Sequence, residues 1–192
     1  MRRSSRSHVA IVVVFVIVSV LAIVSDQVTK AWALENTSPD RIEPFIGSFI
    51  SFQLVFNPGA AFSLLAHSTW IFTILSAVIS VVVLWYMRKV VSMWWSVALG
   101  LLFGGAVGNL IDRLVRPPSF GEGHVIDFLN WNGWFVGNVA DIYIVVAAGL
   151  LFLLAIVGVP ATQEHIDQIA AEKQEKQENP AKPDTQVGST DE

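Results

Sequence analysis

The chain has 192 residues, of which 53% are hydrophobic and only 15% charged, with no cysteine. Its mean hydropathy of +0.56 is above that of ordinary soluble domains, and the apolar residues are gathered in long blocks, so a membrane protein is expected. The missing cysteine excludes disulfides, thiolate metal sites and a cysteine nucleophile. The net charge of −4 is local: residues 163–192 carry eight of the sixteen acids and three of the twelve bases, leaving the rest near neutral. No basic stripe calls for nucleic acid.

About 20 apolar residues cross a bilayer, and four blocks qualify. They are predicted at about 9–25, 67–87, 90–111 and 139–159, the last with its unbroken apolar run starting at Ile142. The first block has the basic flank of a signal peptide, but it is long and "AIVSDQ" is a poor cleavage site, so an uncleaved span is expected. Arg2, Arg3 and Arg6 precede the first span, and Arg88 and Lys89 fill the turn between the second and third. By the positive-inside rule both places are cytoplasmic, and four spans return the C-terminus to the same side. Trp85, Trp94 and Trp95 then mark the inner interface, with Trp70, Trp131 and Trp134 at the outer one.

The outer segments are 31–66 and 113–138. In the first, Ile50, Phe52, Leu54 and Phe56 alternate with Ser51, Gln53 and Val55, which predicts a short strand with one apolar face. The second is rich in Pro, Gly and Trp and reads as a loop on the outer membrane surface. Residues 163–192 read as a polar cytoplasmic tail, helical at most in its beginning and otherwise disordered. The expected fold class is a mainly α membrane protein, with four transmembrane helices in residues 1–162 under a small extracytoplasmic strand-and-loop cap.

Charged residues at the ends of spans need partners or a task. In "SDQVTK", Asp26 and Lys30 are four apart and share a helix face, so a structural pair ending the first span is one reading. Ser25 and Lys30 are five apart and face different ways, which disfavours a Ser–Lys dyad. In "NPGAAF", Asn57 precedes proline and is extended or in a turn, while Gly59, Ala60 and Ala61 permit close backbone approach. In "GGAVGNLIDR", Gly104 and Gly108 form a small-xxx-small helix contact. Asn109, Asp112 and Arg113 share a face there, and Asp112 and Arg113 can pair with each other or Arg113 can reach a peptide carbonyl or a lipid phosphate. "HVIDF" places Asp127 in the outer loop. In "NVAD", Asn138 and Asp141 have capping-box spacing, so a helix cap is the plain alternative to chemistry at Asp141. The histidines 8, 67, 124 and 165 have no ligand spacing, and no metal or cofactor is expected.

Taken together, "DQVTK", "NPGAAF", "GGAVGNLIDR", "VIDF" and "NVAD", in this order over Asp26 to Val159, resemble the motifs of signal peptidase II. The resemblance implies a bacterial membrane aspartic protease that cuts diacylglyceryl-modified prolipoproteins before the lipidated cysteine. It implies catalytic roles for Asp127 and Asp141, a site lined or supported by Asn57, Gly59, Asn109, Arg113 and Asn138, and a stabilising role for Asp26, Lys30 and Asp112. The partners implied are prolipoproteins and membrane lipids, and the expected state is a monomer in the cell membrane with its site on the extracytoplasmic side. The stretch between Asp112 and Asp127 is longer than the family pattern, with "VRPPSFGEG" inserted.

Two rivals make different demands. A proton-coupled transporter or channel needs polar groups through the membrane's depth, whereas the span middles here are nearly free of charge. A non-catalytic four-span scaffold requires that neutralising Asp127 or Asp141 be silent.

Overall fold

The computed structural model describes residues 2–59 and 69–178. Ala60, Ala61 and His67, and with them the end of the first outer segment and the start of the second predicted span, lie outside the described residues, as does the tail beyond 178.

Among the described residues, four helices are long and apolar enough to cross a membrane: α1 (Arg2–Asn36), α2 (Thr69–Met87), α3 (Met93–Val115) and α4 (Val139–Ile156). Their outward faces are apolar, with Val81 65% and Val145 70% exposed, as a lipid solvent requires and water would not tolerate. The α1 helix continues well past the predicted end of the first span. Asp26 and Lys30 therefore lie inside a helix rather than at its end.

The contact between α1 and α3 is set by small residues. A Cβ on Gly104 would fall 2.5 Å from the Ala22 Cβ, and one on Gly108 would fall 2.5 Å from Asp26 Oδ2. Only a bare backbone allows this approach. Ser96 Oγ donates to the Ile11 carbonyl (2.7 Å) and Ser19 Oγ to the Gly100 carbonyl (3.3 Å), so hydroxyls on the seam find acceptors in the facing backbone. Gly105, on another side of α3, brings the start of α4 close: its Cβ would lie 2.6 Å from the Ala140 carbonyl oxygen. At the opposite end of the bundle Ile11, Phe15, Val83, Met87, Val90 and Leu99 form an apolar cluster. There the Lys89 ammonium lies 5.2 Å from the centre of the Trp85 ring, a cation–π contact beside the α2–α3 turn.

The outer segments form one antiparallel sheet in the order β1 (Glu43–Ile46), β2 (Ile50–Asn57), β3 (Val125–Trp131), β4 (Val136–Gly137). Reading 113–138 as a loop is thus corrected. Residues Val125 to Asn130 are all buried, and a strand covered on both faces has no alternation to read. The predicted strand at Ile50 to Phe56 is present, but it does not keep one apolar face. The register slips between Phe52 and Val55, and Leu54 is buried while Phe56 is 48% exposed. Phe52, Phe128 and Leu129 pack with Ala33 at the end of α1, and Trp32 meets Phe52 edge-on with ring centres 5.0 Å apart. The sheet is thereby fixed to the bundle. The tail, read as helical at most in its beginning, starts with the 16-residue helix α5 (Gln163–Glu178). Its Gln, Glu, Lys and Ala residues favour the helix, and Gln163 Nε2 donates to Asp167 Oδ1 one turn on (2.9 Å).

Candidate active site

Asp127 and Asp141 reach the same place from different elements. Asp127 lies on β3 opposite Val55, and only 1% of it is exposed. It therefore belongs to a strand within the sheet, not to a loop as the sequence reading had it. Asp141 lies in the first turn of α4 and forms a complete capping box. Its amide donates to Asn138 Oδ1 (3.0 Å), and its Oδ2 accepts from the Asn138 amide (3.1 Å).

Three asparagines orient the two carboxylates. Asn57 Nδ2 donates to Asp127 Oδ2 (2.7 Å), and Asn138 Nδ2 donates to Asp127 Oδ1 (2.6 Å). Asn109 Nδ2 donates to Asp141 Oδ1 (2.9 Å). Asn138 therefore binds both aspartates, one through its side-chain amide and the other through its backbone. Asn57 Oδ1 also accepts from the Gly59 amide (2.7 Å), closing a turn in which Gly59 has φ +100° and its missing Cβ would strike the Phe72 ring. Gly137 makes room on the other side, since a Cβ there would lie 2.9 Å from Asp141 Oδ2.

Behind the asparagines lies a buried ionic cluster. Lys30 is fully buried, and its ammonium meets Asp26 Oδ2 (2.8 Å), Asp112 Oδ2 (2.7 Å) and Asn109 Oδ1 (2.9 Å). An ammonium has three protons and no lone pair. All three are used, and because Lys30 can only donate, it fixes which end of the Asn109 amide faces it. The carbonyl turns to Lys30 and the amino group turns to Asp141. Asp26 Oδ1 accepts the Ala140 amide (3.0 Å), so the same cluster also holds the start of α4.

Asp112 does not pair with Arg113. It takes Arg116 Nε (2.6 Å) besides Lys30. Adjacent helical residues diverge by about 100°, whereas residues four apart share a face. Arg113, 6% exposed, instead lies with Cζ 5.4 Å from the centre of the Phe72 ring, and its Nη1 has no hydrogen-bond partner among the described residues. With Asn109 and Asp141 it lines a cavity of about 300 Å³ between α2, α3 and α4. A second cleft of about 330 Å³ opens on the other side of Asp141, under the stacked Trp131 and Phe135 rings.

Burial, and next the Asp141 charge, push the Asp127 carboxyl up to about 7, against the opposing pull of its asparagine hydrogen bonds and Lys30. Asp141 accepts from two donors, Asn109 Nδ2 and the Asn138 amide, at the N-terminal end of α4. Among the described residues, no group of three or more His, Asp or Glu side chains is placed to hold a metal ion.

All ten residues singled out in the sequence thus fall in one connected region. Arg116 and Gln27 were not singled out. Gln27 Nε2 donates to Asp26 Oδ2 (3.1 Å) and to the Gly108 carbonyl (3.0 Å). The four-residue spacing of Asp112 and Arg116 was the available signal for the arginine. Gln27 lies inside the motif "DQVTK", but no spacing or charge marks it.

Four membrane-length helices with a small sheet at one end define a multi-pass membrane enzyme. The fold matches a bacterial membrane enzyme determined by the in meso method at 1.9 Å, with a TM-score of 0.65 and 26% identity over 73% of this chain and 91% of the other. The sequence profile of Signal peptidase (SPase) II matches residues 18–157. A lipoprotein signal peptidase of Bifidobacterium longum (strain DJO10A) is 43% identical over 169 residues, 88% of this chain and 91% of the relative. One of Mycobacterium avium (strain 104) is 44% identical over 133 residues, 69% of this chain and 73% of that one. The chain belongs to the signal peptidase II family and is a bacterial membrane peptidase.

Proposed function

We propose that Asp127 and Asp141 are the catalytic pair of an aspartic endopeptidase that removes signal peptides from diacylglyceryl-modified prolipoproteins, cutting before the lipidated cysteine. The observation that carries this reading is a carboxylate pair bridged by Asn138, with the buried Asp127 pushed up to about 7 by burial and by the neighbouring Asp141. Such a pair keeps one proton near neutral pH.

The chemistry follows from that proton. Asp141 takes a proton from a water as its oxygen attacks the scissile carbonyl carbon. Asp127 gives its proton to the carbonyl oxygen, producing a gem-diol. The diol then collapses: Asp141 passes its proton to the departing nitrogen, the C–N bond breaks, and Asp127 recovers a proton from a diol hydroxyl. Both carboxyls end as they began, and no covalent intermediate forms. Asn109 and Asn138 maintain the geometry, and Lys30, Asp26 and Asp112 hold the asparagines. Arg113, with a buried and unspent N–H, is suited to a substrate carbonyl.

The pair lies at the end of the bundle away from Arg88 and Lys89, which supports cytoplasmic termini and an extracytoplasmic site. Both carboxyls come from one chain, so a monomer suffices. Residues 1–162 form the peptidase unit, and 163–192 extend into the cytoplasm.

The test is cleavage of a lipidated prolipoprotein by the full chain in detergent. Asp127→Asn and Asp141→Asn each lower the rate by at least a thousandfold while eluting as folded protein. Near-normal cleavage by either variant overturns the assignment.

A further inference from the structure

A third cleft, of about 370 Å³, lies away from the carboxylate pair. Its apolar wall is Leu34 at the end of α1 with Phe56 and Ile126 from the sheet, and Arg116, Pro117 and His124 line the other side. Neighbouring strand residues point to opposite faces. Ile126 adjoins Asp127 and Phe56 adjoins Asn57, so the cleft opens on the sheet face opposite the catalytic pair.

This second wall is the inserted segment "VRPPSFGEG" with His124 directly after it, and it is firmly built. The Gly123 amide donates to the Arg113 carbonyl (3.0 Å), and the His124 amide to the Pro117 carbonyl (3.0 Å). Thr73 Oγ1 on α2 donates to the Gly121 carbonyl (2.6 Å). A Cβ on Gly123 would lie 2.4 Å from the Asp112 carbonyl oxygen, so the segment sits directly on the end of α3. Arg116 gives its Nε to Asp112 (2.6 Å), and its two terminal nitrogens make no hydrogen bond among the described residues. Its side chain is 21% exposed, so this planar fork is within reach of a ligand. Beside the cleft, Val115 and Phe120 are 72% and 83% exposed, as suits residues resting among lipids. The acids nearby are occupied or turned elsewhere: Asp112 is buried behind Arg116, and Glu122 accepts from Ser119 Oγ (2.8 Å).

We propose that this cleft binds a membrane phospholipid of the outer leaflet, with its phosphodiester on the Arg116 fork and its acyl chain along the exposed Leu34 and Phe56. An apolar trough ending in a guanidinium at the outer ends of two spans matches that ligand in shape, charge and depth. The site is coupled to the peptidase centre. Arg116 holds Asp112, Asp112 holds Lys30, Lys30 holds Asn109, and Asn109 holds Asp141. A bound phosphate fixes the first member of that chain. The proposal stands on this cleft alone and does not depend on the catalytic assignment.

Native mass spectrometry of the full chain in detergent, titrated with phosphatidylglycerol, tests it. The wild type retains one lipid. Arg116→Gln, which removes the fork, and Leu34→Trp, which fills the trough at an already exposed position, each weaken retention at least tenfold. Asp127→Asn binds as the wild type does, so lipid binding and catalysis fail separately. Diacylglycerol, lacking the phosphate, binds at least tenfold more weakly, and inorganic phosphate at the same concentration is not retained. Equal retention by wild type and Leu34→Trp overturns the proposal. Diacylglycerol retained as well as phosphatidylglycerol removes the phosphate from it, and inorganic phosphate retained as tightly removes the lipid.

Discussion

The raised Asp127 carboxyl has a thermodynamic consequence that is separate from catalysis. A carboxyl whose pKa rises on folding holds its proton more tightly in the folded chain than in the unfolded one. Its contribution is intact at acid pH and is lost as pH rises from near 3.8, the unfolded value, through about 7. Each pH unit inside that window is worth about 1.4 kcal/mol. Raising the pH from 5 to 7 therefore removes roughly 2–3 kcal/mol, and a further rise to 9 removes little more. Asp127→Asn cannot titrate. Its amide meets a donor on each side, Asn57 Nδ2 at 2.7 Å and Asn138 Nδ2 at 2.6 Å, so the variant carries a penalty of its own, but one that does not change with pH. The informative quantity is the wild-type-minus-variant difference in unfolding free energy, measured in detergent by denaturant titration at pH 5, 6, 7 and 8. Most other acids cancel in that subtraction. The difference should move against the wild type by roughly 2–3 kcal/mol between pH 5 and 7 and then level off. A difference constant to within about 1 kcal/mol across that range would refute the argument that burial and Asp141 keep a proton on Asp127.

Two further outcomes test the supporting structure. Lys30→Met leaves Asp26 and Asp112 facing each other without their shared cation, so stability falls by about 3–5 kcal/mol and the folded yield on size exclusion collapses. Adding Asp26→Asn to that variant recovers part of the yield, and no recovery would mean that the charge is not the cause. Gly108→Ala places a Cβ 2.5 Å from Asp26 Oδ2 and lowers stability by about 1–3 kcal/mol, whereas Gly149→Ala meets nothing within 4 Å and raises it by up to about 1 kcal/mol. Thermal unfolding of the two variants side by side checks the contrast.

What could be read in advance follows the range of the interactions involved. Four apolar blocks and the capping box at Asn138 and Asp141 are local patterns, and both are visible in the sequence. The β2 strand is half covered, so its alternation was legible, but the slip between Phe52 and Val55 left no mark. The β3 strand was missed because it is buried on both faces and carries Asp127 and Asn130 inside, which imitates a polar loop. Of the two alternatives open for Arg113, pairing with the adjacent Asp112 is not the one the fold uses, because the helix-face neighbour of Asp112 is Arg116. Lys30 and Asn109 meet across 79 residues, and no local pattern records that. The five motifs single out residues that the fold brings together, because a family resemblance summarises such long-range constraints. It names the residues without stating the hydrogen bonds that make them necessary.

The saturation of Lys30 also bears on how this site can evolve. Its three protons are committed to Asp26, Asp112 and Asn109, which come from two helices, and none is left to accommodate a new partner. Replacing Lys30 leaves Asp26 and Asp112 without their shared cation, and replacing Asn109 removes the amide that faces Asp141, so change at these two positions calls for compensating substitutions. An inhibitor seated against Asn109 and Asp141 would therefore contact residues that cannot drift one at a time. Resistance would have to arise at the rim, among side chains such as Phe135 and Ile142 that no such chain of bonds restrains.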